Sequence, residues 1–206
     1  MTRGGWIPSV WAFVSLMKMT TKETIIAAAK RTFCANGFEA ATIAEIARNA
    51  GLGHGTFYLY YKTKGAVIVD IAAREIAIIE ARLRAVLNPR LSFGEQIKRL
   101  VRAHYAYVME NRDIYPIVTA GLMQDEALDV WGGLYDPVHR LYEEMLDDYR
   151  RRGKIRKNFD VKTTGRLIVG FVEFSAAQNH VYEDIPGEES RRHQRELAAF
   201  IEKGMA

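Results

Sequence analysis

The sequence GLGHGTFYLYYKTKG, from Gly51 to Gly65, combines features that neither an ordinary core helix nor an ordinary surface helix needs together. It holds four aromatic rings, one histidine and two lysines. Burial would account for the rings but not the lysines, and solvation would account for the lysines but not the rings. The stretch therefore predicts a short helix in which some rings fill a small core while the other rings and the lysines face a polyanion.

The residues just before this stretch predict a second short helix. TIAE, from Thr42 to Glu45, has the form of a capping box, in which each side chain satisfies a free backbone amide of the other. Ile46 supplies an apolar contact to Phe57, and Gly51 can take a left-handed turn. Two short helices joined by a tight glycine turn predict a helix-turn-helix, whose second helix enters the major groove of DNA.

The chain after residue 19 has helical periodicity throughout and no convincing strand alternation. The predicted fold class is all-α, with an N-terminal three-helix DNA-binding domain and a larger helical domain for effector binding and dimerisation. We predict an N-terminal extension at 1–18, the DNA-binding domain at 19–65 and the effector and dimerisation domain at 66–206. The predicted helices are 21–36, 42–50, 53–61, 66–87, 92–111, 114–123, 126–151 with a kink near Pro137, 161–183 and 188–203.

The charge distribution supports a DNA-binding module at the start of the chain. The net charge is +4, and residues 18–64 hold seven basic and three acidic residues, which leaves the rest of the chain formally neutral. A basic module on a neutral body indicates a polyanionic partner for that module alone.

The first 18 residues differ from the remainder. The apolar run from Trp6 to Met17 is too short to span a bilayer as a helix and is followed by no small-residue cleavage site. We interpret it as an upstream extension, with a membrane-associating tail as the alternative, and expect a cytoplasmic protein without stable membrane association. Cys34 is the single cysteine and is predicted to be a buried structural thiol on the apolar side of the first helix.

The segment TIAEIARNAGLGHGTFYLYYKTKGAV resembles the DNA-binding signature of the tetracycline-repressor (TetR) family. The match covers about residues 25–66, and beyond it only the number and length of the helices resemble the family. The resemblance implies phosphate contacts from Thr42, Tyr58 and Lys64, and base or phosphate contacts from His54 and Thr56. The predicted DNA-binding residues are Thr42, His54, Gly55, Thr56, Tyr58, Tyr60, Lys62 and Lys64.

The sequence departs from that signature at several positions. Gly53 stands where the family has a capping serine, which weakens the helix start by about a few tenths of a kcal/mol. Gly65 replaces an acidic residue and loosens the start of the next helix by about 1 kcal/mol. Tyr60 and Tyr61 replace the more usual His and Phe.

The middle of the chain is enriched in aromatic residues, as expected of a small-molecule site between helices. At each position, packing in the core is the alternative. We expect a largely apolar effector, no cofactor, no metal and no catalytic residues. The predicted ligand-binding residues are His104, Tyr105, Tyr107, Tyr115, Trp131, Tyr135, His139, Tyr142, Phe171 and Phe174.

Residues 165–182 are apolar on nearly every helical face, which predicts cover from a partner subunit as well as from the monomer. TetR-like proteins pair through their last two helices, which agrees with this pattern. Glu173 has three open roles: ligand contact, an arginine partner across the dimer, or exposure to water. The predicted dimer residues are Leu167, Val169, Gly170, Glu173, Ala177 and His180.

Together these features predict a homodimeric, ligand-responsive transcriptional repressor that binds double-stranded DNA at an inverted-repeat operator. The chain has no HExxH, CxxC or glycine-rich phosphate loop, so an enzyme is not expected. Two alternatives remain: a helical lipid or small-molecule carrier without DNA regulation, and a ligand-free architectural DNA-binding protein.

Overall fold

The computed structural model describes residues 20–122 and 133–206, so the predicted extension at 1–18 and Trp131 lie outside the described residues. Within those ranges the secondary structure is helical and contains no β-strand, which confirms the all-α prediction. The helices are α1 (Thr21–Ala40), α2 (Ile43–Asn49), α3 (His54–Tyr58), α4 (Lys64–Ala85), α5 (Phe93–Glu110), α6 (Tyr115–Leu122), α7 (Asp136–Arg151), α8 (Val161–Ala177) and α9 (Gly187–Gly204).

The first two helices begin at capping boxes. Thr20 and Glu23 cap α1, and Thr42 and Glu45 cap α2 as predicted. Because Gly37 has φ 77°, the regular part of α1 stops there, at the predicted position, and one further helical turn ends at Ala40.

The turn into α3 follows the predicted chemistry. Gly51 has φ 68°, which a glycine adopts without strain. Gly53 is the N-cap of α3 and makes no side-chain hydrogen bond, and the weaker helix start stays a prediction. The start of α4 is better supported, since the Thr63 hydroxyl accepts a hydrogen bond from the Ala66 amide at 3.1 Å.

Among the described residues, two large apolar cores and a small cluster around Ala72 lie along α4. The first contains Phe33 of α1, Phe57 of α3 and Ile68 of α4. The second contains Ile76 of α4 with residues of α5, α7, α8 and α9. Since α4 contributes to both, a movement of this helix affects both parts of the molecule.

The interruption predicted near Pro137 is present, because residues 133–134 are helical, Tyr135 is a turn residue, and α7 begins at Asp136 with the proline in its first turn. Two other predictions are corrected by the described residues. The helix predicted to reach residue 183 ends at Ala177 and continues as a π-helical turn, Gln178–Tyr182, around the buried Asn179. Cys34 is exposed and not buried.

Among the described residues, no helix is both long enough and apolar enough to cross a bilayer.

Candidate DNA-binding surface and ligand cavity

The rings of the helix-turn-helix divide between core and surface, as predicted. Phe57 and Tyr61 are buried, with 0% and 5% of their surface exposed, and their ring centroids lie 5.9 Å apart. The Tyr61 hydroxyl donates to Asp70 at 2.6 Å. Burial is the larger cause of a raised pKa for Tyr61, and the hydrogen bond to Asp70 raises it further. The phenol therefore remains a neutral donor.

The opposite side of α3 is open to solvent. Tyr58 and Tyr60 are 48% and 44% exposed, and the edge-to-face rings of His54 and Tyr58 lie 5.1 Å apart. Thr56 is half-buried beside them. Leu59, which was not predicted, is 81% exposed at the end of the helix. Of the predicted contact residues of α3, His54 and Tyr58 thus share one accessible surface.

Most of the basic residues between 20 and 64 are used inside the protein. Their ammonium and guanidinium groups neutralise carboxylates or bind backbone carbonyl oxygens. The positive charge that is free to contact phosphates is therefore smaller than the net charge of this segment suggests. The pairs are Lys22 with Asp70 at 2.7 Å, Lys30 with Glu75 at 2.6 Å, Arg31 with the Asn49 carbonyl at 3.2 Å, and Lys64 with the Phe38 and Glu39 carbonyls at 2.8 and 2.7 Å.

Lys64 therefore has a structural role in this conformation. Its ammonium group binds carbonyl oxygens of the last turn of α1 and lies 4.8 Å from the centroid of the Phe38 ring. Its phosphate contact stays a prediction, and one that competes with these bonds. Thr42 is similarly engaged, since its hydroxyl donates to Glu45 at 3.0 Å.

Arg48 and Lys62 differ from the other basic residues of this segment. Both are exposed, and neither side chain makes an ion pair or hydrogen bond with any residue that the structure describes. Lys62 was predicted as a contact residue, whereas Arg48 was missed. The signal for Arg48 was its position near the end of the helix that precedes the glycine turn.

The larger part of the molecule encloses a small cavity of about 40 Å³, which is room for a few water molecules. It is smaller than the sites that hold drug-sized ligands, so a larger ligand requires helices to move apart. The lining residues are Glu75, Ile76, Ile79, His104, Tyr107, Asn111, Ile114, Tyr115, Val118, Thr119, Tyr135 and Glu173.

Two carboxylates line this cavity. The Glu75 carboxylate accepts hydrogen bonds from the Lys30 ammonium at 2.6 Å and the Tyr107 hydroxyl at 2.8 Å. The Oε1 atom of Glu173 accepts hydrogen bonds from the hydroxyls of Tyr115, at 3.0 Å, and Tyr135. Burial raises the pKa of the Glu173 carboxyl, and the hydrogen bonds from the two tyrosines oppose that effect.

His104 lines the same cavity and has a buried, unpaired polar atom. Only 3% of the residue is exposed, and its Nδ1 atom has no hydrogen-bond partner among the described residues. Burial lowers the pKa of His104 to about 4, so the imidazole is neutral near pH 7.

A wider groove of about 440 Å³ lies on the outer side of the same wall. Tyr115, Thr119, Tyr135 and Glu173 line both spaces, so the hydrogen-bonded tyrosines and Glu173 separate the cavity from the groove. The remaining groove residues are His139, Arg166, Val169, Gly170, Phe174, Ala177 and Tyr182.

The predicted ligand residues occupy several different environments. His104, Tyr107, Tyr115 and Tyr135 line the cavity. His139 and Phe174 line the outer groove with two of these tyrosines. The cavity also contains Glu75 and several aliphatic residues that were not predicted, because buried carboxylates and core aliphatic residues carry no distinctive spacing.

Three predicted ligand residues lie elsewhere. Tyr105 and Tyr142 are core residues, with 1% and 0% of their surface exposed, and neither lines the cavity. The Tyr105 hydroxyl is hydrogen bonded to Ser175. Phe171 is 50% exposed and faces away from the cavity, because its ring packs edge-to-face on Phe200 of α9.

The predicted dimer residues also separate. Val169 and Ala177 are only 1% and 2% exposed, so they are covered within the monomer, and their contact with a partner stays a prediction. Glu173 faces the cavity, and His180 lies near the Ser190 hydroxyl at 3.2 Å. Gly170 is exposed beside an apolar strip formed by Leu167, Phe171, Phe174 and Phe200, with exposures of 56%, 50%, 67% and 64%.

Helix α6 connects the cavity to the DNA-binding part. Ile114, immediately before α6, and Val118 line the cavity, and Val118 also packs with Ile117 against the core that contains Phe57. A Cβ atom at Gly121 would lie 2.6 Å from the Ile68 side chain, so α6 and α4 are in very close contact there. A ligand that displaces α6 would therefore press on the core beneath α3.

Both parts of the chain match established protein-family models. Residues 25–71 match the model of bacterial regulatory proteins of the tetR family. Residues 97–205, slightly more than half of the chain, match the tetracyclin repressor-like C-terminal domain.

Similar proteins include a curated sequence and solved structures. The chain is 24% identical over 184 residues to the Bacillus subtilis HTH-type transcriptional regulator YvdT, covering 89% of this chain and 94% of the relative. The Bacillus subtilis transcriptional regulator FadR, solved with stearoyl-CoA, superposes with TM-score 0.75 at 17% identity, covering 89% and 98% of the two chains. The Thermus thermophilus repressor FadR, solved with lauroyl-CoA, superposes with TM-score 0.69 at 24% identity, covering 90% and 95%.

Proposed function

Because this chain belongs to the tetracycline-repressor family of DNA-binding transcriptional regulators, we propose that it is a homodimeric repressor released from its operator by a small-molecule effector. Each protomer would place α3 in the major groove of one half of an inverted repeat. The effector would occupy the cavity and the adjoining groove.

The exposed face of α3 supports the DNA-binding step. His54 and Tyr58 project from the helix, and the unpaired cations Arg48 and Lys62 lie before and after it in the chain. Phosphate contacts from cations and hydroxyls position a protein on DNA, whereas side chains in the groove read the bases. This division gives Arg48, Lys62 and the Tyr58 hydroxyl the phosphate contacts, and His54 and Thr56 the base edges.

The apolar strip on α8 and α9 supports the dimer. Its four large side chains are each at least 50% exposed in the monomer, which is unusual for a contiguous set of Leu and Phe residues. Pairing two copies through this strip would remove it from water and fix the distance between the two α3 helices.

A single observation carries the effector response: Val118 contacts both the ligand cavity and the core beneath α3. A ligand larger than about 40 Å³ must displace the cavity wall, and α6 transmits that displacement to the first core. Allostery requires that the ligand bind one arrangement more tightly than the other, and the expanded cavity would be that arrangement.

The test is DNA binding by the purified full-length protein, measured on fragments from around its own coding region over a salt series. We expect saturable binding that resists competitor DNA and weakens steeply with salt. Weak binding that is equal for all sequences would favour an architectural role, and a folded dimer without any DNA binding would overturn the proposal.

Effector release is tested on the fragment that binds. Stearoyl-CoA and lauroyl-CoA are the first compounds to add, since they occupy the FadR structures from Bacillus subtilis and Thermus thermophilus. The matched variant is Val118→Ala, which should keep DNA binding but weaken the effect of any effector. An effector that releases this variant as well as the parent would contradict the α6 route.

A further inference from the structure

We propose that the effector site selects a hydrophobic monocation, an amine or quaternary ammonium compound whose charged nitrogen lies against the Glu173 carboxylate. The inference rests on the proposed function, because it names the chemical class that the effector site would bind. It is carried by the charge balance of the cavity wall and by the polar atoms there that the protein leaves unpaired.

The cavity contains more buried acid than base. Glu75 is neutralised by Lys30 at 2.6 Å, whereas Glu173 has no Lys, Arg or His within 4 Å among the described residues. Of the two undescribed segments, 123–132 contains no basic residue, whereas 1–19 contains Arg3 and Lys18, so the absence of a cation near Glu173 holds for the described residues alone. A carboxylate that is buried without a cation is costly to the protein, and a cationic ligand would remove that cost.

The hydrogen bonds of Glu173 occupy one carboxylate oxygen and leave the other free to contact a ligand. Tyr115 and Tyr135 both donate to Oε1, and no hydrogen bond joins Oε2 to a described residue. Burial raises the pKa of this group, the two phenol hydroxyls oppose that effect by stabilising negative charge, and a bound cation would stabilise the charge further. They also hold it in the wall between the cavity and the outer groove, where an entering ligand must pass.

The rest of the cavity suits an apolar body. Ile76, Ile79 and Val118 line one part of it, and His104 lines it as a residue whose Nδ1 atom is buried without a partner among the described residues. An anionic head group would lie beside two carboxylates and gain no counter-charge inside. In the outer groove, Arg166 is the only arginine or lysine among the described lining residues, and it already lies 3.8 Å from Asp136.

The test compares three head groups on a ten-carbon chain and adds lauroyl-CoA, with a twelve-carbon acyl chain, as the acyl-CoA. Decyltrimethylammonium, decanoate, decanol and lauroyl-CoA are titrated separately into the full-length protein by calorimetry, below the concentrations at which they form micelles. We expect decyltrimethylammonium to bind at least about 10-fold more tightly than decanoate, with decanol between them. Tighter binding of decanoate or lauroyl-CoA would overturn the inference, as would equal binding of all four.

The matched variant is Glu173→Gln, which keeps the shape and the acceptor for both tyrosines but removes the charge. It should lose at least about 10-fold in affinity for decyltrimethylammonium while its affinity for decanol stays within about 2-fold. Glu144→Gln, at a surface carboxylate 64% exposed, is the control and should behave as the parent. If Glu173→Gln keeps the preference for the cation, the inference is wrong.

Folding and DNA binding are recorded for the same samples. Glu173→Gln should melt no lower than the parent, because it replaces an uncompensated buried charge by a neutral amide. Failure of the parent to bind any DNA would count against the proposed function, whereas the calorimetric head-group order tests the cation preference alone. The two failures are therefore distinguishable.

Discussion

The Lys30 ammonium group on α1 lies 2.6 Å from the Glu75 carboxylate on α4, and it joins the DNA-binding part to the wall of the ligand cavity. The same carboxylate accepts a hydrogen bond from the Tyr107 hydroxyl of α5 at 2.8 Å. Glu75 is only 8% exposed, so it depends on these two donors to balance its burial. One side chain thus connects three helices and both apolar cores.

We therefore expect Lys30→Met to lower the free energy of unfolding by about 1–3 kcal/mol, because it leaves the Glu75 carboxylate without a cation. The magnitude is discounted from that of a fully buried pair because the Lys30 side chain is 35% exposed. The double variant Lys30→Met with Glu75→Gln should recover most of the loss. The measurement is urea denaturation of all variants at pH 7.

The control for this prediction is the neighbouring pair of Lys22 and Asp70. It is equally short, at 2.7 Å, but its side chains are 47% and 33% exposed. Lys22→Met should therefore cost less than about 1 kcal/mol. Equal losses for Lys22→Met and Lys30→Met would show that burial does not distinguish the two pairs.

The sequence predicted the DNA-binding part in more detail than the rest. The capping box at Thr42, the stop at Gly37 and the burial of Phe57 depend on local patterns, which a sequence displays directly. The distribution of charge was less predictable. The Lys64 ammonium group donates hydrogen bonds to carbonyl oxygens of α1. This contact joins residues 25 positions apart, so it depends on the tertiary fold and not on a local pattern.

The ligand cavity shows where local patterns fail. Tyr107 and Tyr142 share an aromatic, helical context, yet one lines the cavity and the other is enclosed in the core. Their difference is set by how α5 and α7 pack against other helices, which helical periodicity does not report. Glu173 could be recognised in the sequence as unusual, but its tyrosine partners come from separate parts of the chain.

Arg48 and Lys62 are expected to supply free positive charge to the DNA. Replacing either by alanine should weaken binding to all sequences alike and reduce the slope of log affinity against log salt by about 1. Neither change should alter thermal stability, since neither side chain is bonded to a described residue. Fluorescence anisotropy at four salt concentrations measures the slope.

Lys154, exposed near the start of the loop after α7, is the matched control for these variants. Lys154→Ala should leave the slope unchanged. A variant at Lys62 or Arg48 with an unchanged slope would place that residue outside the DNA contact.

The buried His104 makes stability depend on pH. Its pKa is lowered to about 4, whereas an unfolded histidine titrates near 6.5, so below pH 6.5 the unfolded state takes up more protons than the folded state. Stability from this group is therefore full above about pH 6.5 and is lost as the pH falls towards 4. His104→Gln should remove about 2 kcal/mol of the loss between pH 7 and pH 5.

Urea denaturation of the parent and of His104→Gln at pH 7, 6 and 5 gives the two stability curves. The difference between them isolates His104 from the other groups that titrate in this range. Curves that run parallel across the range would show that this imidazole is protonated to the same degree in both states.

Phe171 and Phe200 have edge-to-face rings with centroids 6.0 Å apart, at the centre of the apolar strip on α8 and α9. We expect Phe171→Glu combined with Phe200→Glu to convert the dimer to a monomer, because four like charges would meet across a two-fold axis and lose their water. Sedimentation velocity at several concentrations measures the state. The monomer should bind one half of the operator at least about 100-fold more weakly than the dimer binds the whole, because the two α3 helices no longer act together.

Met109→Glu, at an apolar residue 52% exposed on α5, is the control and should remain dimeric with parental affinity. A double variant that stays dimeric would place the subunit interface elsewhere on the molecule.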